Sequence, residues 1–212
     1  ALLAGNLAEG RGVEPARLQE YYLTLQRDAN RLQRLVADVL DVSRLERNSF
    51  RVEPQPTDPA ALLRQAAAEH APRLADAGLE LRLALSEPLP ETALDPGAVE
   101  RALANLLENA RKYASDGGVV ELRAEADDQE LRVVVEDRGP GIPAALRERV
   151  FRPFERGPAE NGLAAGAGLG LALVRETLLA HGGSVELAGG ADGAGARFTL
   201  RFPLANLPAT DR

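Results

Sequence analysis

Between residues 15 and 47 the apolar side chains Leu18, Tyr22, Leu25, Ala29, Leu32, Val36 and Val39 recur at alternating steps of four and three. That is the spacing of heptad a and d positions, with Arg27, Asp28, Arg31 and Arg34 between them, so a helix here carries one continuous apolar seam. A helix this long and amphipathic demands a partner. Pro15 suits its first turn, where a missing N–H leaves nothing unsatisfied. Residues 1–9 (ALLAGNLAE) read as the end of a preceding helix, and Gly10-Arg11-Gly12 as the turn between the two. The seam can close within one chain as a helical hairpin. It can also close across two chains as half of a dimeric four-helix bundle, which leaves less of it exposed.

Residues 51–59 (RVEPQPTDP) hold three prolines and end this pattern. Beyond them the chain reads as mixed α/β. Asp58-Pro59 is a cap followed by a first-turn proline, and opens a helix that stops at Gly78. Residues 79–85 (LELRLAL) alternate as a half-buried strand. Asp95-Pro96 repeats the start signal for a helix to about Ala114. Runs at 119–126 and 131–136 make a hairpin about Asp127-Asp128-Gln129, a helix covers about 169–181, and strands at 184–188 and 196–203 follow. Helices and antiparallel hairpins ordered this way predict an α+β fold, a two-layer α/β sandwich with one sheet faced by helices, preceded by the helical-hairpin segment. The expected division is 1–50, 51–204 and a tail at 205–212.

Composition narrows the function classes. Against 25 Lys and Arg stand 32 Asp and Glu, a formal charge of −7, which argues against a protein that grips a nucleic-acid backbone. Cysteine is absent, which excludes disulfides and thiolate metal sites. No apolar run approaches the roughly 20 residues that span a bilayer. Methionine is missing even at position 1, so the chain is expected to be a piece of a longer one.

Three segments carry chemistry. On the helix from 96 to 114, Val99, Leu103, Leu106 and Ala110 form an apolar stripe, while Glu100, Glu108 and Arg111 form a solvated one. Asn105, Asn109 and Lys112 make a third row. Amides are poor interior helix formers, so the row is either chance surface polarity or a set of oxygen ligands and a cation facing phosphates and a metal. Directly after a strand comes Asp137-Arg138-Gly139-Pro140-Gly141-Ile142. Its glycines permit close backbone approach, and its carboxylate could accept from an exocyclic amine such as that of adenine, although any tight loop can show this pattern. Finally, GLAAGAGLGL (162–171) runs into a helix, with Gly166, Gly168 and Gly170 in the loop and Phe151 through Arg156 before it as an anchor. It reads as a flexible linker or as a loop that delivers phosphate oxygens to a helix N-terminus; the P-loop lysine is not there.

Taken in order, NLLENARKY (105–113), DRGPGI (137–142), VFRPFER (150–156), GAGLGLALV (166–174) and HGGSVEL (181–187) resemble the ATP-binding domain of sensor histidine kinases, the Bergerat-type fold of two-component systems. RLQRLVADVLDVSRLE (31–46) resembles the second helix of the dimerisation hairpin in those kinases. The resemblance implies ATP and Mg2+ as cofactors. It places Asn109 on the magnesium ion, Asn105 in the same pocket, Lys112 at the phosphates and Tyr113 near the base or ribose. Asp137 would take the adenine amine, with Gly139, Gly141 and Ile142 shaping the adjoining wall. The segment 155–167 would be the ATP lid, with Phe154 at its start, Arg156 toward a phosphate, and Gly166, Gly168, Leu169, Gly170 and Leu171 where it closes and joins the helix.

The resemblance further implies a homodimer through the hairpin, a response-regulator receiver domain as partner, no nucleic acid, no membrane contact in this piece, and a cytoplasmic domain whose parent is anchored, if at all, through another part. The related gyrase, mismatch-repair and heat-shock-chaperone ATPases carry a water-activating glutamate four residues before the metal asparagine. Here that position is Asn105, and Glu108 projects roughly 60–100° from the asparagine row, so transfer is favoured over hydrolysis. The two histidines, His70 and His181, read as a packing residue and a helix C-terminal cap. The acceptor histidine is thus expected upstream of Ala1, leaving a chain that binds ATP without labelling itself; a catalytically silent ATP-binding module on the same fold is the alternative.

Overall fold

The computed structural model describes residues 51–114, 118–155, 168–190 and 194–204, together with Tyr21, Tyr22, Thr24 and Leu25. Those four are helical, and the side chains of Tyr22 and Leu25 are exposed. The rest of the heptad segment, its turn, the lid residues 156–167 and the tail 205–212 lie outside the described residues. The chain divides into two compact units, Ala1–Ser43 and Arg44–Arg212.

In the second unit the described elements run β1 (Gln55–Thr57), α1 (Pro59–Ala75), β2 (Glu80–Leu85), β3 (Thr92–Leu94), α2 (Pro96–Tyr113), β4 (Val119–Ala126), β5 (Glu130–Asp137), two short 3-10 turns (Ala144–Leu146 and Arg149–Phe151), α3 (Gly170–Ala180), β6 (Ser184–Gly189) and β7 (Ala196–Pro203). Both helix-start signals act as read. Asp58 accepts from the N–H groups of Ala60 and Ala61 at 2.8 and 3.2 Å, and Asp95 accepts from Ala98 N–H at 3.0 Å, each with proline at the first helical position. Gly78, at φ 78°, turns the chain out of α1, and Leu79 N–H closes on Leu74 O at 2.9 Å.

The main sheet has the order β2-β4-β5-β7-β6. One pairing departs from the expected antiparallel hairpins: β2 lies parallel to β4, with Glu80 opposite Val119, because α2 carries the chain back between them. Two elements are additional. β1 and β3, three residues each, pair antiparallel as a separate ribbon with Gln55 opposite Leu94.

One sheet face packs on the three helices. Val120, Leu122, Val133, Val135, Leu200 and Phe202 meet Leu63 and Leu74 of α1, Leu103 and Leu106 of α2, and Val174 and Leu178 of α3. These are the period-2 and period-3.6 positions of the sequence, which is why two layers enclose one core. The other face is an arginine–glutamate mosaic. Glu121 and Glu136 stand opposite each other in the register, and Arg123 spans them at 2.7 and 2.5 Å. Arg197 closes on Glu136 from β7 at 3.0 and 3.1 Å.

Candidate nucleotide site

The stripes of α2 decide what its polar row faces. Val99, Leu103, Leu106 and Ala110 are buried as expected, with Ala102 and Leu107 beside them. Asn105 and Asn109 are half-buried, and neither side chain hydrogen-bonds to another described residue. Half-buried amides with no partner among the described residues are suited to a ligand. The stripe of Glu100, Glu108 and Arg111 is less solvated than the sequence suggested: Glu108 chelates Arg111 at 2.8 Å through both oxygens and holds the Lys112 ammonium at 3.6 Å. Burial lowers the pKa of His70 on α1; Glu69 opposes this, Arg73 adds to it, and the Glu108 charge across from α2 opposes it least. His70 is half-buried on that helix, which accords with its reading as a packing residue.

The glycine motifs close on the two ends of this row. At Gly170, the first residue of α3, an added Cβ would lie 2.9 Å from the Asn105 amide oxygen. Among the described residues no side chain caps α3, so its first N–H groups have no side-chain acceptor there. At Gly139 an added Cβ would lie 2.8 Å from Tyr113 O and 2.9 Å from the Ala114 methyl. The β5 turn therefore rests on the C-terminal end of α2. Between Asn105 and Tyr113 the helix advances about 12 Å, with Asn109 and Lys112 in the interval.

Asp137 is partly buried at the end of β5. Its Oδ1 accepts from Gly139 N–H at 2.9 Å and Ala196 N–H at 3.2 Å, leaving Oδ2 for a ligand donor. Burial pushes its carboxyl up, the two backbone N–H groups pull it down, and neighbouring Glu136 adds to the rise. Gly195, at φ 78°, lies so close that an added Cβ would sit 1.8 Å from Asp137 O. Gly141, at φ 73°, packs in turn on Gly195, and the Ile142 side chain reaches the core while its carbonyl accepts from Arg147 at 3.1 Å.

Phe151 is buried edge-on against Phe198, with centroids 6.4 Å apart, and firmly seats the segment before the lid. Phe154 is 60 % exposed with a positive φ of 65°, and its N–H donates to Gly168 O at 2.9 Å. The two ends of the segment expected to form a lid are thus joined, Gly168 lying at φ 73° against Phe154 and Glu155. Leu169 is buried, Leu171 packs on the core, and Tyr113 is 53 % exposed beside Gly139. Arg156 and Gly166 lie outside the described residues.

Among the described residues no group of three or more His, Cys, Asp and Glu could hold a metal. A cation bound here would have to draw its oxygens from amides, phosphates and water. Magnesium accepts that set, and the uncommitted amide of Asn109 fits it.

The family described as histidine kinase-, DNA gyrase B- and HSP90-like ATPase matches residues 94–206, just over half of the 212. The chain belongs to this family. Its ATP-binding domain is of the sensor-histidine-kinase kind. It is 35 % identical over 181 residues to the alginate biosynthesis sensor protein KinB of Pseudomonas aeruginosa, a match covering 85 % of this chain and 30 % of that protein. Among solved structures it resembles full-length ShkA in complex with AMPPNP, with a TM-score of 0.79, 34 % identity, and 98 % of this chain and 43 % of that one covered. The histidine kinase AdeS of Acinetobacter baumannii shares the fold, with a TM-score of 0.71, 24 % identity, and 97 % and 94 % covered. The chain therefore spans less than half the length of KinB and of ShkA. No helix among the described residues is long and apolar enough to cross a membrane.

Two features of the site were not expected from the sequence: the hold of Glu108 on Lys112, and a hydrogen bond from Asp95 N–H to His181 Nε2 at 2.9 Å. The first follows from i, i+4 spacing alone and could have been found. The second joins residues 86 apart and could not.

Proposed function

We propose that this chain is the ATP-binding catalytic part of a sensor histidine kinase, binding Mg-ATP and passing the γ-phosphoryl group to a histidine on a dimerisation helix for relay to a response-regulator aspartate. The observation that carries this reading is the row of half-buried amides on α2, unpartnered among the described residues, with the α3 N-terminus, which no described side chain caps, against one end and the Asp137 turn against the other. Adenine's amine donates to Asp137 Oδ2, Tyr113 flanks the base or ribose, and the phosphates lie between the α3 N-terminus and Lys112. Asn109 holds the magnesium ion, with Asn105 lining the same pocket. The ion neutralises phosphate charge, and the protein's own part in phosphoryl transfer is position and electrostatics. Phe154, Arg156 and the glycines Gly166, Gly168 and Gly170 serve lid closure.

Asn105 cannot act as a general base, and Glu108 is committed to Arg111 and Lys112, which supports transfer rather than hydrolysis. The exposed Tyr22 and Leu25, both seam positions, support a homodimer through the helical segment. The binding of AMPPNP by ShkA supports the nucleotide.

The test is calorimetric titration with Mg-AMPPNP, followed by incubation with γ-labelled Mg-ATP and a separate helical hairpin carrying a histidine–acidic pair. Binding with acid-labile, base-stable label on the hairpin is expected. Binding without label in any pairing favours the silent module, and absence of binding rejects both.

A further inference from the structure

Two contacts mark the ends of the packing of α2 on α3. Near one end, Gly170 of α3 abuts Asn105 of α2. At the other, the ring of His181, just past α3, meets the N-cap of α2: Nε2 accepts from Asp95 N–H at 2.9 Å while Nδ1 donates to Thr177 O at 2.7 Å. The two bonds together require the neutral ring with its proton on Nδ1. From Asp95 to Asn105 is ten residues, and from Gly170 to His181 eleven, so the arms measure about 15 and 16 Å and the helices run antiparallel between two fixed points.

The surroundings hold this ring in place. Phe202 packs edge-on against it, with centroids 5.5 Å apart and planes at 88°. Gly183 N–H closes on Leu178 O at 2.8 Å, and an added Cβ at Gly183 would lie 2.0 Å from Arg201 O, so the HGG turn has to be glycine for the ring to stand where it does. Between the fixed points α3 is held by the packed side chains of Val174 and Leu178. The directional bond at one end adds a fixed register to that packing.

We infer that His181 is a positioning residue for the nucleotide site: by tying the α2 N-cap to the end of α3, it sets where the α3 N-terminus stands relative to the Asn105–Asn109 row. This rests on the reading that phosphates lie between those two features.

The experiment measures the dissociation constant of Mg-AMPPNP at 15 °C, with thermal melts of the same samples, for the unaltered chain, His181→Asn and His181→Gln. Asparagine keeps a donor for Thr177 but has no acceptor within reach of Asp95, whereas glutamine restores an acceptor at the ε position. The expected result is weakening by about fivefold in H181N and return to within about twofold in H181Q. A purely structural histidine would lower the melting temperature of H181N and leave its affinity unchanged, which overturns the inference. Failure of the unaltered chain to bind rejects the nucleotide reading itself. Should H181N not fold, amide exchange of the unaltered chain decides: saturation with Mg-AMPPNP slows exchange of the Asp95 N–H if the tie belongs to the site, and unchanged exchange overturns it.

Discussion

Gly170 and Asn105 stand in such contact that a single methyl group on the glycine would lie 2.9 Å from the asparagine's amide oxygen. The neighbour that must give way is a side chain, not backbone, so the first turn of α3 can accept alanine only by moving Asn105. Gly170→Ala is therefore expected to leave the melting temperature within a few degrees, because alanine gains helix propensity. Nucleotide affinity should fall by about three- to tenfold. Titration of G170A beside N105A and the double variant checks this: if the methyl acts through Asn105, the two effects are not additive.

Gly195 gives the opposite outcome. Its added Cβ would meet the Asp137 carbonyl at 1.8 Å from a backbone at φ 78°, and neither group can yield. Gly195→Ala should cost at least about 3 kcal/mol, lowering the melting point by about 6–12 °C. A melt within two degrees of the unaltered chain would contradict the placement.

Asp137 and Asp95 respond to pH in opposite senses. Burial raises the Asp137 carboxyl, so its ionised form weakens the nucleotide-free fold above that raised value, and the penalty vanishes below the ordinary aspartate range. Burial also disfavours the Asp95 carboxylate, but the N–H groups of Glu53 and Ala98, aided by the Arg101 charge, outweigh it and lower the pKa. Its stabilisation is present above the ordinary value and lost as pH falls through the lowered one. Asp137→Asn, whose Oδ1 still accepts from Gly139 and Ala196, is expected to melt higher than the unaltered chain at pH 7.5. That gain should shrink toward zero near pH 4, while nucleotide binding weakens by about 10–100-fold through loss of the charged acceptor. Melts across that range, with titrations at pH 7.5, test both halves.

Glu108→Gln should tighten Mg-AMPPNP binding by about threefold at low salt, because it removes a negative charge beside the phosphates and releases Lys112 from its 3.6 Å pairing. Any slow ATP hydrolysis should be unchanged. A large drop in hydrolysis would make Glu108 a base for water, contrary to its commitment to Arg111 and Lys112.

Most of the architecture was readable because long elements repeat their period: α2 shows four turns of one apolar stripe, and β4 and β5 alternate across a hairpin with Asp127 at its turn. β1 and β3 were not readable, since three residues hold no period and Pro56 argues against a strand. The parallel pairing of β2 with β4 was hidden for another reason. The partner is set by α2 folding back, not by anything within LELRLAL. At the site, residue types and spacing announced Asn105, Asn109, Asp137 and the glycines. What they touch, including Gly195 under Asp137 and His181 on Asp95, depends on chain crossings far apart in sequence.

The short ribbon of β1 and β3 has a mechanical consequence. The chain enters along β1, whose first residue pairs with Leu94, and just before it Glu53 N–H donates to Asp95 Oδ2 at 3.0 Å. A pull on the entering chain peels that ribbon from the end nearest α2. The first link to part is the one on the Asp95 carboxylate, while the five-stranded sheet still bears no load. Tension on Arg51 is thus delivered to the head of the helix that carries the asparagine row before any other part of the domain feels it.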